Sequence, residues 1–332
     1  MNWLKKHLRV LSLLLVFLLL FSSLYWLDLS PTDEEMHYGV TFSKDQAINL
    51  KLDWRKTYLA ILDELKIDNL RLIARWDQLE KEADQFDFAD LDWQIAEAAK
   101  RGAAVVLVIG QRVPRWPECF IPDWAEQLES SKYEAALLSY LATIIKHYQN
   151  YPNISHWQIE NEPFLASFGI CPPVNESLFQ QEIALVREND SRPIITTDSG
   201  ELGAWRKASK QGDVFGTTMY RKVWHKYLGY FSWPLPAVFY RLKGQILTAK
   251  KAIYVMELQA EPWISDFDFI IDVPISTQLA VFNEDDLKRN ISYARKGGFS
   301  KIYLWGVEWW YWLKANGQPE LWNTAEKIWQ TN

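Results

Sequence analysis

From residue 38 onward, short runs of apolar, β-branched residues alternate with longer stretches whose apolar positions recur every three or four residues. The short runs, at 38–42, 70–74, 104–109, 156–161, 193–197, 214–219, 253–256 and 301–305, read as strands. Between them, stretches such as 54–65, 90–101, 132–148, 178–189 and 284–296 carry helical spacing. Strands separated regularly by helices pair in parallel through βαβ crossovers, and eight of them close into a (β/α)8 TIM barrel. No internal repeat or boundary interrupts the pattern, so residues 31–332 are expected to form one barrel domain. One insertion, residues 223–245, is aromatic, basic and interrupted by prolines, which argues against a single regular helix there. It is expected to wall the cleft, to rest on a membrane surface, or simply to pack on the barrel.

Residues 1–30 follow a different pattern. Lys5, Lys6, His7 and Arg9 precede an apolar stretch from Val10 to Leu27 that only Ser12, Ser22 and Ser23 interrupt with hydroxyls. This is an export signal or a membrane anchor. No small-x-small cleavage pattern precedes Asp28, which favours an uncleaved anchor, although the stretch is at the lower limit for spanning a bilayer. The cationic flank is expected to stay in the cytoplasm, leaving the barrel extracytoplasmic and tethered, or secreted if the segment is cleaved. Cys119 and Cys171, the two cysteines, lie in polar, proline-containing stretches after predicted strands. In an exported chain they are expected to bridge two loops.

Composition narrows the class of partner. A net charge of −6 gives no basic stripe to gather phosphates, which argues against nucleic acid. Eighteen tryptophans and fifteen tyrosines suit sugar rings, whose apolar C–H faces stack on aromatic surfaces while their hydroxyl rims meet polar edges. The five histidines show no His-x-His at a strand end, so no metal site is expected, and no Gly-x-Ser-x-Gly elbow or phosphate-binding glycine loop occurs. No cofactor is implied.

The candidate chemistry sits at predicted strand ends, where barrel active sites form. WQIENEP, residues 157–163, ends the fourth strand in Glu162 beside Asn161, and IYVMELQAEPW places Glu257 at the end of the seventh. A retaining glycosidase needs such a pair, with carboxyl groups roughly 5 Å apart: one as acid/base and one as nucleophile. Glu162 fits the acid/base and Glu257 the nucleophile. Asn161 is placed to hydrogen-bond the sugar 2-hydroxyl, and a buried Arg71 on the second strand would favour an ionised Glu257. Glu160 is expected in a buried hydrogen-bond network, and Glu261, beyond the strand, in a salt bridge or a substrate contact.

These residues resemble clan A glycoside hydrolases, the retaining (β/α)8-barrel superfamily with cellulase-like and β-galactosidase-like members. WQIENEP is similar to the fourth-strand motif that carries the acid/base, MELQ is similar to the seventh-strand nucleophile motif, and Arg71 matches the strand-two arginine. The resemblance implies that Tyr220 in DVFGTTMY hydrogen-bonds the nucleophile and that Trp305 floors the subsite. In VVLVIGQRVPRW the histidine of cellulase-like members is replaced by Gln111 or Arg112, which makes Gln111 a candidate sugar contact. Trp263, after the seventh strand, is a candidate wall of the cleft. The implied substrate is an extracytoplasmic oligo- or polysaccharide. A second reading, from another class, is a catalytically silent carbohydrate-binding barrel in cell-envelope polysaccharide assembly.

Overall fold

The computed structural model describes residues 2–249, 251–265 and 269–330. Ten strands occur among them: β1 (His37–Thr41), β2 (Asn69–Ile73), β3 (Ala104–Ile109), β4 (Ile154–Ile159), β5 (Ile194–Asp198), β6 (Val214–Met219), β7 (Lys222–His225), β8 (Gly229–Ser232), β9 (Ile253–Gln259) and β10 (Lys301–Trp305). Eight of them close a parallel barrel in the order β1-β10-β9-β6-β5-β4-β3-β2, and β7 and β8 form a separate antiparallel hairpin. In barrel order, β9 and β10 are therefore the seventh and eighth strands.

Local chemistry sets where several outer helices begin. Asp53 accepts from the backbone N–H groups of Arg55 and Lys56, Asn175 from those of Ser177 and Leu178, and Asn283 closes a capping box with Asp286. The apolar faces of these helices bury against the outer side of the sheet in one continuous core. A separate apolar cluster of Val106, Ile195, Val214, Met256 and Tyr303 packs apart from it. Register pairs Arg71 with Val106, so both side chains point to the same face of the sheet. Gly39 pairs with Tyr303, and a Cβ there would meet the tyrosine ring at 2.7 Å, so glycine leaves the space that ring occupies.

Two strand ends differ from the sequence expectation. β4 stops at Ile159, because Glu160 and Glu162 adopt φ of 55° and 46° and leave the extended conformation. β9 runs on to Gln259, which places Glu257 within the strand instead of at its tip. The helix Val307–Ala315 escapes a periodicity search because Val307, Trp309, Trp310, Trp312 and Leu313 are all buried, leaving no polar face to set a period. Residues 223–245 contain most of the β7–β8 hairpin and the first part of the helix Val238–Leu247. Gln259 clamps the start of the hairpin, its Oε1 accepting from Lys222 N at 2.8 Å and its Nε2 donating to Lys222 O at 2.6 Å.

The N-terminal segment forms the helix Asn2–Ser23, several of whose side chains lie outside the described residues. Among the described residues no helix is long and apolar enough to cross a membrane. After this helix the chain meets the barrel, with Tyr25 Oη donating to Pro234 O at 2.8 Å and Leu29 N to Lys296 O at 3.0 Å.

Cys119 and Cys171 form a disulfide that joins the loop after β3 to the loop after β4. The bridged residues are 52 apart in sequence. Closing a loop of that length restricts the unfolded chain, so changing both cysteines to serine is expected to lower unfolding stability by about 2–4 kcal/mol. Denaturant melts of the oxidised protein and the double variant measure this directly; equal midpoints would contradict it.

Candidate active site

The site is organised around Arg71, whose side chain on β2 is fully buried. Its Nε donates to Gln158 Oε1, its Nη1 to Glu257 Oε1 and its Nη2 to Asn161 Oδ1, each at 2.8 Å. One rigid guanidinium thus ties β2 to β4, to the turn after β4 and to β9 across the barrel. Tyr220, just beyond β6, donates its hydroxyl to Glu257 Oε2 at 2.9 Å. Both carboxylate oxygens of Glu257 are therefore held, one by a cation and one by a neutral donor.

Glu162 sits in a contrasting environment. It is 5% exposed, its backbone N–H donates to Thr197 Oγ1 at 2.9 Å, and its Oε1 is buried without a hydrogen-bond partner. Burial pushes its carboxyl well above the usual range, and the negative charges of Glu257, Glu118 and Asp198 push in the same direction. Two buried carboxyl groups thus face one another electrostatically, one paired with Arg71 and the other favoured in its protonated form. Retaining glycosidases divide the labour of two carboxyl groups in this way.

Glu160 supports the site from behind. Its Oε1 accepts from Gln111 N at 2.8 Å and its Oε2 from Arg112 N at 2.7 Å, so it holds the turn that follows β3. Gly110 makes this approach possible: its φ is 130°, and a Cβ there would lie 2.3 Å from Glu160 Oε1. Glu182, on the helix Glu176–Asn189, lies against Glu160 and is pushed well above the carboxylate range by burial and by the Glu160 charge.

The other expected residues divide into two groups. Arg71, Asn161, Tyr220 and Glu257 form one hydrogen-bonded network, and Trp263 packs edge-on to Tyr220 with ring centroids 5.5 Å apart. Gln111 is drawn elsewhere, its Oε1 accepting from the Tyr133 hydroxyl on the helix Ser130–Tyr148. Trp305 ends β10 with the guanidinium of Arg115 over its ring at 4.1 Å. Glu261 accepts from Arg115 at 2.6 Å, the salt bridge that is one of the two roles expected of it.

Sequence reading missed Glu118 and Arg115. Glu118 is buried, forms an ion pair with Arg112 at 2.6 Å, and has its carboxyl raised to about 7 by burial. Its Oε1 lies 3.4 Å from Asn161 Nδ2, which links the loop after β3 to the network. The available signal was two arginines and a glutamate within eight residues of QRVPRWPE, a density of charge unusual beside a buried strand. Asp198, by contrast, is absorbed by its own loop, where it accepts from Ser199 N and Trp205 N. Among the described residues no group of three or more His, Cys, Asp or Glu side chains is arranged to hold a metal ion.

Comparison with known proteins points to the same barrel fold. The model of glycosyl hydrolase family 10 matches residues 38–184, which span β1 to β4 and include Glu162 but end before Glu257. Among solved structures, native xylanase 10B from Thermotoga maritima aligns at TM-score 0.60 and 13% identity, over 93% of this chain and 98% of that one. The exo-β-1,4-mannosidase Op5Man5 from Opitutaceae bacterium strain TAV5 aligns at 0.59 and 12% identity, covering 88% of this chain and 59% of that one. A polyextremophilic β-galactosidase from the Antarctic haloarchaeon Halorubrum lacusprofundi aligns at 0.59 and 15% identity, over 89% of this chain and 58% of that one. No curated protein matches significantly. At these identities the solved structures establish a (β/α)8 barrel, and over its first four strands, the part that carries Glu162, the chain is similar to glycosyl hydrolase family 10.

Proposed function

We propose that this chain hydrolyses β-linked O-glycosides of an extracytoplasmic oligo- or polysaccharide with retention, using Glu162 as acid/base and Glu257 as nucleophile. The observation that carries the assignment is the unequal setting of the two carboxyls: Arg71 and Tyr220 hold Glu257, whereas Glu162 is driven toward its protonated form. In the first step the Glu162 proton passes to the glycosidic oxygen as a Glu257 oxygen attacks the anomeric carbon, and the bond to the leaving group breaks. The product is a glycosyl ester on Glu257. In the second step the Glu162 carboxylate takes a proton from water, the water oxygen attacks the anomeric carbon, and Glu257 leaves as a carboxylate. Asn161 is oriented through its Oδ1 by Arg71, and its Nδ2, which makes only a long 3.4 Å contact to Glu118, is the group left to donate to the sugar 2-hydroxyl. Trp263 supplies aromatic surface to the sugar, Trp305 floors the site only through the face that Arg115 leaves open, and Gln111 approaches the sugar only if it leaves Tyr133.

The β-linkage is suggested by the solved relatives, which include enzymes named for β-1,4-mannosides, β-1,4-xylans and β-galactosides. The extracytoplasmic placement rests on the cationic-then-apolar residues 1–30 and on the Cys119–Cys171 bridge, since disulfides persist in oxidising compartments. Residues 1–30 serve in this reading as the tether and residues 31–332 as the catalytic domain. Fractionation of cells expressing the full chain is expected to leave the barrel in the membrane fraction, accessible to protease from the outer side. Recovery in the cytosol would refute the placement.

Two measurements test the chemistry. A 2-fluoro glycoside trap is expected to label Glu257 covalently, read by peptide mass spectrometry; no label and no turnover across an aryl glycoside panel would favour a carbohydrate-binding barrel. Glu162→Gln is expected to lose about 10²–10⁴-fold on poor leaving groups, in line with removal of a general acid, and far less on activated aryl glycosides. The acid form of Glu162 exists below its raised pKa and is lost as pH rises through it. Wild-type activity should therefore fall on the alkaline side, and Glu162→Gln should lose that limb when assayed on activated substrates.

A further inference from the structure

The loop that follows β3 does not stay on its own side of the barrel. β3 is the third barrel strand, and the seventh and eighth, β9 and β10, lie across the mouth from it. Arg115, five residues beyond Gly110, nevertheless reaches them. Its Nη1 donates to Glu261 Oε1 at 2.6 Å, just past β9, and its Nη2 to Glu308 Oε2 at 2.9 Å, just past β10. Its guanidinium also covers the Trp305 ring. Glu308 in turn accepts from Ser43 N beyond β1, so the far wall that receives the arginine is itself tied together.

The crossing segment is stiff. Arg112 and Cys119 form an antiparallel bridge, Val113 N donates to Glu118 O at 2.8 Å, and Glu118 N to Arg115 O at 2.7 Å. The disulfide fixes the returning end of this small loop, and Arg112 fixes its start by donating to Leu165 O and Phe168 O. Arg115 and Glu118 hold φ of 91° and 71°, a conformation that a side chain adopts only when its surroundings impose it. At the docked end two polar atoms, Arg115 Nε and Glu261 Oε2, are buried with no hydrogen-bond partner. Both atoms are closed to water, so the docked end is packed shut around the ion pairs.

We propose that residues 110–119 form a strap that closes the glycone end of the cleft, so that the enzyme removes sugars one at a time from a non-reducing chain end. Arg115, docked on Glu261, Glu308 and Trp305, then forms the end wall against which that terminal sugar stops. This rests on the roles proposed above for Glu162 and Glu257. The leaving group departs toward Glu162, so the glycone lies on the Glu257 side, and Arg115 docks on that wall. A polymer threading past the cleavage point would have to displace three contacts of one guanidinium and the loop stapled behind it. A chain end needs only to fit beneath them.

The test uses reducing-end-labelled β-1,4-linked hexasaccharides of glucose, mannose and xylose, together with the matching aryl β-monoglycosides. Wild-type protein is expected to shorten the labelled hexasaccharide it accepts through five, four and three units in order. Arg115→Ala, checked for folding by its melting transition, is expected to yield labelled fragments of mixed length from the first turnovers and to lose at least tenfold in kcat/KM on the aryl monoglycoside, mainly through KM. Arg115→Lys, which keeps the charge but lacks Nε and the planar fork, should show the same KM defect with less internal cleavage and serves if the alanine variant does not fold. Internal fragments from the wild type, or an unchanged product pattern in a folded Arg115 variant, would overturn the strap while leaving the glycosidase assignment standing. Absence of turnover on every probe together with absence of label on Glu257 would instead remove the assignment, and the strap proposal with it.

Discussion

A positive charge sealed inside the barrel is the constraint on which the site depends. The Arg71 side chain has no access to water, so each of its donors must find an acceptor within the protein, and its charge needs a counter-charge. Glu257 supplies that charge, Gln158 and Asn161 accept from two further donors, and Thr41 Oγ1 and Met256 O accept at longer range. Removing one member of such a buried pair typically costs about 3–5 kcal/mol, because the partner is left unpaired. The position of Glu257 is thereby set by the electrostatics of the barrel interior. The same guanidinium orients Asn161, so one residue outside the reaction fixes two that face it.

The turn after β4 distributes three adjacent polar residues to three destinations. Glu160 turns back to hold the N–H groups of Gln111 and Arg112, Asn161 turns to Arg71, and Glu162 is left with a free carboxyl oxygen. Alternation along a regular strand would have sent Glu160 and Glu162 to the same face. The positive φ at both residues breaks that alternation, and Thr197 on β5 receives the Glu162 N–H that the ladder no longer uses. Strain at these two positions thus accompanies a separation of roles between chemically identical side chains.

Much of this was legible in the sequence, because the barrel is encoded locally. The eight β-branched runs became the eight barrel strands, and the two glutamates and the arginine were conspicuous because polar residues stand out in apolar runs, although Arg71 and Glu257 lie within their strands and only Glu162 lies beyond one. The pairing of Cys119 with Cys171 was accessible for a similar reason: two cysteines in loops of neighbouring strands have few alternatives. What could not be read was anything that depended on one loop reaching another. Arg115 looks like a solvated charge in QRVPRWPE, and only the closed barrel brings Glu261 and Glu308 to it from 146 and 193 residues away. Gln111 illustrates the opposite failure, since a suitable residue at a suitable position is claimed by Tyr133 on an outer helix.

The contrast between scaffold and loops also explains where the covalent bond lies. The strands and outer helices are held by a continuous apolar core, which needs no further constraint to define its geometry. The loop after β3 adds to a small apolar cluster of Val108, Val113 and Phe120 a set of buried ion pairs, Arg112 with Glu118 and Arg115 with Glu261 and Glu308, whose attraction is largely offset by the loss of hydration. Such contacts specify a conformation better than they stabilise it. A disulfide placed at the end of that loop reduces the conformational freedom that the ion pairs would otherwise have to overcome. The covalent constraint therefore falls on a segment that the large apolar core does not hold and that depends on ion pairs for its shape.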